Sequence, residues 1–109
     1  MAIDLSSDRF EQEVLKSNVP VLVDFWGPKC APCLALMPEV ESLETKYGAS
    51  FKITKVDASN NRRMCLSLKV LGLPTFLIYK DGKEVARLNG DALTIGEIEV
   101  AMGNALNCK

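Results

Sequence analysis

The chain contains no histidine. Its one closely spaced cysteine pair is Cys30 with Cys33, and Cys65 and Cys108 do not make a second, so the paired ligand sets of most zinc sites are missing. No metal centre is expected. An excess of either charge is also lacking: 13 lysines and arginines face 14 aspartates and glutamates, for a net charge of -1, and Arg62–Arg63 is the one adjacent basic pair. That is too little to neutralise a run of phosphates, which argues against a nucleic-acid partner. No apolar run approaches the roughly 20 residues that span a bilayer, so no membrane partner is expected. The opening MAIDLSSDRFEQE lacks the basic, apolar, small-residue order of a secretory signal, and the expected location is cytoplasmic.

Internal repeats, low-complexity stretches and linkers are absent as well. What is present is ordinary globular composition, 48% hydrophobic and 25% charged over 109 residues. Such a chain supports one core, so residues 1–109 are expected to form a single domain. A core of that size does not need the bridges by which small secreted scaffolds are held, so the four cysteines do not read as two structural disulfides.

Hydrophobic spacing predicts the elements. Ser7 is the candidate cap of a first helix whose apolar face holds Phe10, Val14 and Leu15 and which ends near Asn18 and Pro20. Val21 to Trp26 is almost continuously apolar, the pattern of a strand covered on both faces. A long helix is predicted from Ala31 to Tyr47, with Leu36, Val40, Leu43 and Tyr47 at helical spacing, a kink at Pro38 and a stop at Gly48. Phe51 to Val56 reads as a second core strand, and Asn61 to Leu68 as a short helix with Met64 and Leu68 on one side. Thr75 to Tyr79 and Glu84 to Leu88 flank Lys80-Asp81-Gly82-Lys83, where Asp-Gly signals a tight antiparallel hairpin. Thr94 and Glu97 form a capping box for a last helix that buries Ile95, Ile98, Met102 and Leu106. The order implies an α/β fold with a central mixed β-sheet flanked by helices on both faces.

Two features carry chemistry. Cys30-Ala31-Pro32-Cys33 falls where a buried strand turns into a helix. Unpaired N–H groups and the positive end of the helix dipole favour a thiolate there, and the thiolate is the reactive species. Pro32 near the helix start costs no hydrogen bond and helps hold the two sulfurs within bridging distance. A lone CxxC also occurs in metal sites and by chance, but the surrounding βαβ pattern favours a redox pair. Asp24 is the second feature, a carboxylate inside Val-Leu-Val-Asp-Phe-Trp. On an internal strand it is buried, and loss of water raises its pKa, so it can hold or accept a proton near neutrality. On an edge strand it simply faces solvent. Of the other cysteines, Cys65 fits a helix face as a packed thiol, with a regulatory role the alternative. Cys108, next to last in the chain, is expected to be exposed and able to form an intermolecular disulfide.

The segments VLVDFWGPKCAPC (Val21 to Cys33) and LGLPTFLIYKDGKEV (Leu71 to Val85) closely resemble the thioredoxin family, and the resemblance covers nearly the whole chain. It implies the thioredoxin fold and protein thiol-disulfide oxidoreduction without a cofactor. By position, Cys30 corresponds to the attacking thiol, Cys33 to the resolving thiol and Asp24 to the buried proton acceptor, with Lys55 as the lysine placed near that aspartate. Pro74 corresponds to a cis-proline facing the disulfide, and the Leu73 backbone to a segment that pairs with an extended substrate. Trp26, Lys29, Gly72, Leu73, Pro74 and Gly90 are implied as the substrate-contact surface, although Trp26 read alone fits core packing equally well.

The chain departs from the common Trp-Cys-Gly-Pro-Cys site in carrying Lys29 and Ala31, and Asn89 stands beside Gly90 where the family is usually apolar. These changes leave the fold in place and leave the redox poise, substrate range and choice of reductase open. Three readings follow. A dithiol reductant kept reduced by thioredoxin reductase, acting as a monomer on disulfide-containing target proteins, fits best. An oxidant or isomerase of the same family more often carries a histidine between the cysteines. A non-catalytic scaffold would need neither the cysteines nor Asp24 and Pro74.

Overall fold

The computed structural model describes residues 2–107, so Cys108 lies outside the described residues. Five strands form one sheet in the order β1-β3-β2-β4-β5: β1 (Ile3–Asp4), β2 (Val21–Trp26), β3 (Lys52–Asp57), β4 (Thr75–Lys80) and β5 (Lys83–Asn89). β1, β3 and β2 run parallel, while β4 runs antiparallel to β2 and β5 to β4. The helices are α1 (Ser7–Phe10), α2 (Ala31–Tyr47), α3 (Arg62–Ser67) and α4 (Ile95–Asn107). This is the mixed α/β fold expected. Among these residues no helix is long and apolar enough to cross a membrane.

Side-chain alternation along β2 sorts the core into two layers. Val21, Val23 and Phe25 pack with Phe10, Val14, Met64, Cys65 and Leu77 on the α1/α3 face. Leu22 points the other way, into a layer built from Leu36, Val40 and Leu43 of α2 and Ile98 and Met102 of α4. Asp24, in phase with Leu22, therefore lies on the α2/α4 face.

Several boundaries follow from local chemistry. α4 opens on the expected box: the Glu97 N–H donates to Thr94 Oγ1 (3.2 Å) and the Thr94 N–H to Glu97 Oε1 (3.1 Å). The β4–β5 hairpin turns through Asp81 and Gly82 with φ of 54° and 80°, the left-handed pair that matches strand twist. A Cβ at position 82 would stand 3.0 Å from the Leu15 carbonyl oxygen, so glycine is required there for space as well. α2 runs on through Pro38 and stops at Gly48, φ 56°.

The structure also departs from expectation. β1 was not predicted, because two residues are too few to show alternation; pairing with β3 creates it. The N-cap position of the first helix is Ser6 rather than Ser7; the Ser6 hydroxyl caps no backbone N–H and donates instead to the Asp8 carboxylate, and beyond Phe10 the turns widen into a π-helical segment at Glu11–Leu15. That wider turn carries Leu15 off the apolar face, to 37% exposure. At the last turn of α4, Ala105 continues the stripe of Ile98 and Met102, and Leu106 falls on the flank, 38% exposed.

Candidate active site

The site grows from the carboxyl ends of β2 and β3, which lie side by side with Trp26 opposite Asp57. After β2, Gly27 brings the chain round so tightly that a Cβ on it would sit 3.2 Å from the Leu73 side chain. Cys30 then becomes the N-cap of α2, in extended conformation with φ -93° and ψ 98°. Its sulfur takes the place of the usual capping oxygen, accepting the Cys33 N–H at 3.3 Å. A negative sulfur in this place is favoured by the unpaired N–H groups of the first turn.

Cys30 and Cys33 are joined as a disulfide, S–S 2.13 Å, with their Cα atoms 5.2 Å apart. The two sulfurs are not equivalent. Cys30 is partly exposed, whereas Cys33 is 1% exposed and sits one turn before Leu36 on the helix face that packs on the sheet. An incoming group therefore meets Cys30 first.

Asp24 lies on the same side of the sheet, 1% exposed, with neither carboxylate oxygen hydrogen-bonded among the described residues. Burial pushes its pKa up from 3.8 to about 7, against the opposing pull of the Lys55 ammonium. It faces no solvent, because β2 is the middle strand of five rather than an edge. Lys55 is its register partner on β3, and Asp4 on β1 is in turn the partner of Lys55, with Nζ–Oδ1 3.8 Å.

The Leu73–Pro74 peptide bond is cis. Its surroundings are tied locally: Thr75 Oγ1 donates to the Gly72 carbonyl (2.6 Å), and the Gly90 N–H to the Pro74 carbonyl (3.3 Å). Leu73, Lys29 and Cys30 line a common groove of about 620 Å³ with Gly27, Pro28, Ala58, Ser59 and Arg62. Gly72 and Gly90 lie exposed on the Pro74 side, outside the groove lining. Trp26 is half-buried and does not line that groove either, and its indole Nε1–H is buried without a hydrogen-bond partner among the described residues.

Sequence reasoning missed Ala58, Ser59, Arg62 and Asp4. Arg62 appeared there only as half of a basic pair. The signal was topological: whatever follows β3 must emerge beside whatever follows the parallel strand β2, where ligands of open α/β sheets bind. The turn that delivers Ala58, Ser59 and Arg62 is closed by the Asp57 carboxylate, which accepts from the Ser59 N–H at 3.0 Å.

Comparison with known proteins agrees with this geometry. The family model described as Thioredoxin matches residues 1–102. The chain is 45% identical over 96 residues to a thioredoxin of Acetoanaerobium sticklandii, covering 88% of this chain and 91% of that protein. It is 39% identical over 99 residues to a thioredoxin of Peptoclostridium acidaminophilum, covering 91% and 90%. With thioredoxin 1 of Synechococcus elongatus it shares 37% identity over 90 residues, 83% and 84% of the two chains.

Proposed function

The chain belongs to the thioredoxin family and is a thiol-disulfide oxidoreductase, a protein-disulfide reductase with a CxxC active-site disulfide; from that premise we propose the following division of labour. In the reduced protein the Cys30 thiolate attacks one sulfur of a target disulfide. The target S–S bond breaks, a mixed disulfide forms on Cys30, and the first target sulfur leaves as a thiolate that takes a proton. Cys33 then gives its proton to Asp24 and attacks the Cys30 sulfur. The Cys30–Cys33 bond forms, the mixed disulfide breaks, and the second target thiolate departs. Two electrons have passed from the chain to the target.

The observation that carries this reading is the unequal exposure of the two sulfurs, Cys30 at the surface and Cys33 at 1%. Asp24 is suited to receive the Cys33 proton because its pKa, pushed to about 7, lets it exchange a proton at neutral pH. Lys55 tempers that rise by its charge. Trp26, Lys29, Gly72, Leu73, Pro74 and Gly90 form the contact surface, with the Leu73 backbone pairing to an extended target segment. The electron donor is a flavin-dependent thioredoxin reductase, and the protein works as a monomeric single domain in the cytoplasm.

The test is reduction of insulin disulfides with dithiothreitol as electron source. Cys30→Ser should lose all activity, and Cys33→Ser should accumulate covalent adducts with targets that mass spectrometry detects. Full activity of Cys30→Ser would overturn the assignment.

A further inference from the structure

The groove beside Cys30 has an apolar floor of Gly27, Pro28, Ala58 and Leu73 and two cationic side chains on its wall, Lys29 and Arg62. Neither side chain has a hydrogen-bond or ion-pair partner among the described residues. The nearest carboxylate in sequence, Asp57, is turned into its own loop, where it accepts from the Ser59 N–H, the Ser59 hydroxyl and the Asn60 amide. Asp24 is buried below the surface. A second depression of about 380 Å³ shares Ser59 and Arg62 with the first and adds Arg63, so the cationic wall runs on away from the disulfide.

Resting on the proposed attack by Cys30, we infer that this groove selects target proteins whose disulfide lies in an extended segment carrying Asp or Glu beside the half-cystine. Lys29 and Arg62 meet those carboxylates while a small apolar side chain rests on the floor. Arginine offers a planar fork that binds a carboxylate with two parallel hydrogen bonds, so Arg62 supplies orientation in addition to charge. Lys29, next to the attacking sulfur of Cys30, acts as a point charge. Both are exposed, so the gain is in encounter rate and choice of partner, and salt should erode it.

The test compares single-turnover reduction of two cystine-bridged peptides that differ only in Glu or Gln at the two positions flanking one half-cystine. The parent should reduce the Glu peptide faster by about five- to tenfold at low ionic strength, a ratio that falls toward one in high salt. Arg62→Gln should lower the ratio, the double variant with Lys29→Gln should bring it near one, and Arg62→Glu should invert it. Circular dichroism establishes that the variants are folded. A parent ratio near one, or a ratio indifferent to Arg62, would overturn the inference while normal reduction of the Gln peptide leaves the disulfide chemistry standing. Failure to reduce either peptide would overturn both. An equal dependence on Arg62 with glutathione disulfide would assign the cations to a small anionic disulfide instead of a protein segment.

Discussion

The two apolar layers on either side of the sheet use similar materials for different ends. On the α1/α3 side, Val21, Val23, Phe25, Val56 and Leu77 are 0% exposed, and the thiol there, Cys65, is a packed group whose pKa burial pushes up. On the α2/α4 side the same close packing encloses a carboxylate without a hydrogen bond among the described residues and one sulfur of the disulfide. Cys65 and Cys33 are both buried. What separates them is that Cys33 lies three residues from a surface sulfur at a helix start, with a titratable group on the same face of the sheet. Burial raises the pKa of the thiol in one layer and, in the other, keeps one sulfur of the disulfide away from solvent.

That contrast can be broken from the quiet side first. Leu77→Ala should cost about 2–5 kcal/mol of stability through the cavity it leaves, by the same amount at pH 5 and pH 8, since the titratable groups of that layer, Cys65 and Tyr79, are pushed up away from that range. Denaturant titration at the two pH values checks this.

Asp24→Asn should act with the opposite sign. Because the folded-state pKa is raised from 3.8 to about 7, the folded protein keeps a proton that the unfolded chain releases between those values. Stability of the parent therefore falls as pH rises through that window and levels off above it. Asparagine carries no such charge, so the variant should exceed the parent by on the order of 2–4 kcal/mol at pH 8 and match it near pH 4. Resolution of mixed disulfides by Cys33 should slow at pH 7. A variant no more stable and no slower would remove Asp24 from the chemistry.

Cys65→Ala should cost about 1 kcal/mol, as for a small buried side chain, and leave the insulin assay unchanged. Loss of activity would show that the quiet layer is not quiet. The smallest effect is expected for Lys29→Trp. A screened ammonium favours the thiolate and with it the reduced form, so its removal should move the potential of the couple to more negative values, by no more than about 30 mV. Titration against glutathione reads it, and a shift the other way would show that the ammonium acts on partners alone.

The helical and strand cores were legible because their periods are strong: β2 occupies Val21–Trp26 and α2 Ala31–Tyr47, the bounds that spacing predicts. The capping box and the Asp-Gly turn were legible for the same reason, since each is local chemistry within four residues. β1 was not, because Ile3–Asp4 becomes a strand only by pairing with Thr54 and Lys55. Leu15 and Leu106 were misplaced because a π-helical turn and the flank of a stripe depend on what the helix packs against.

The same division runs through the site. Sequence alone determined that two cysteines would share a helix start, because strand, turn and helix are contiguous and N-capping acts over one turn. It also placed a carboxylate among apolar neighbours. Only the tertiary structure decided that Asp24 is buried, since burial depends on β3 and β4 flanking β2 and on the helices packed over that face of the sheet. It alone brought Leu73, Ala58 and Arg62 to the wall around Cys30, from segments far apart in the chain. Such neighbours leave no local pattern, because their proximity is set by strand order, and strand order is chosen by the packing of the whole core.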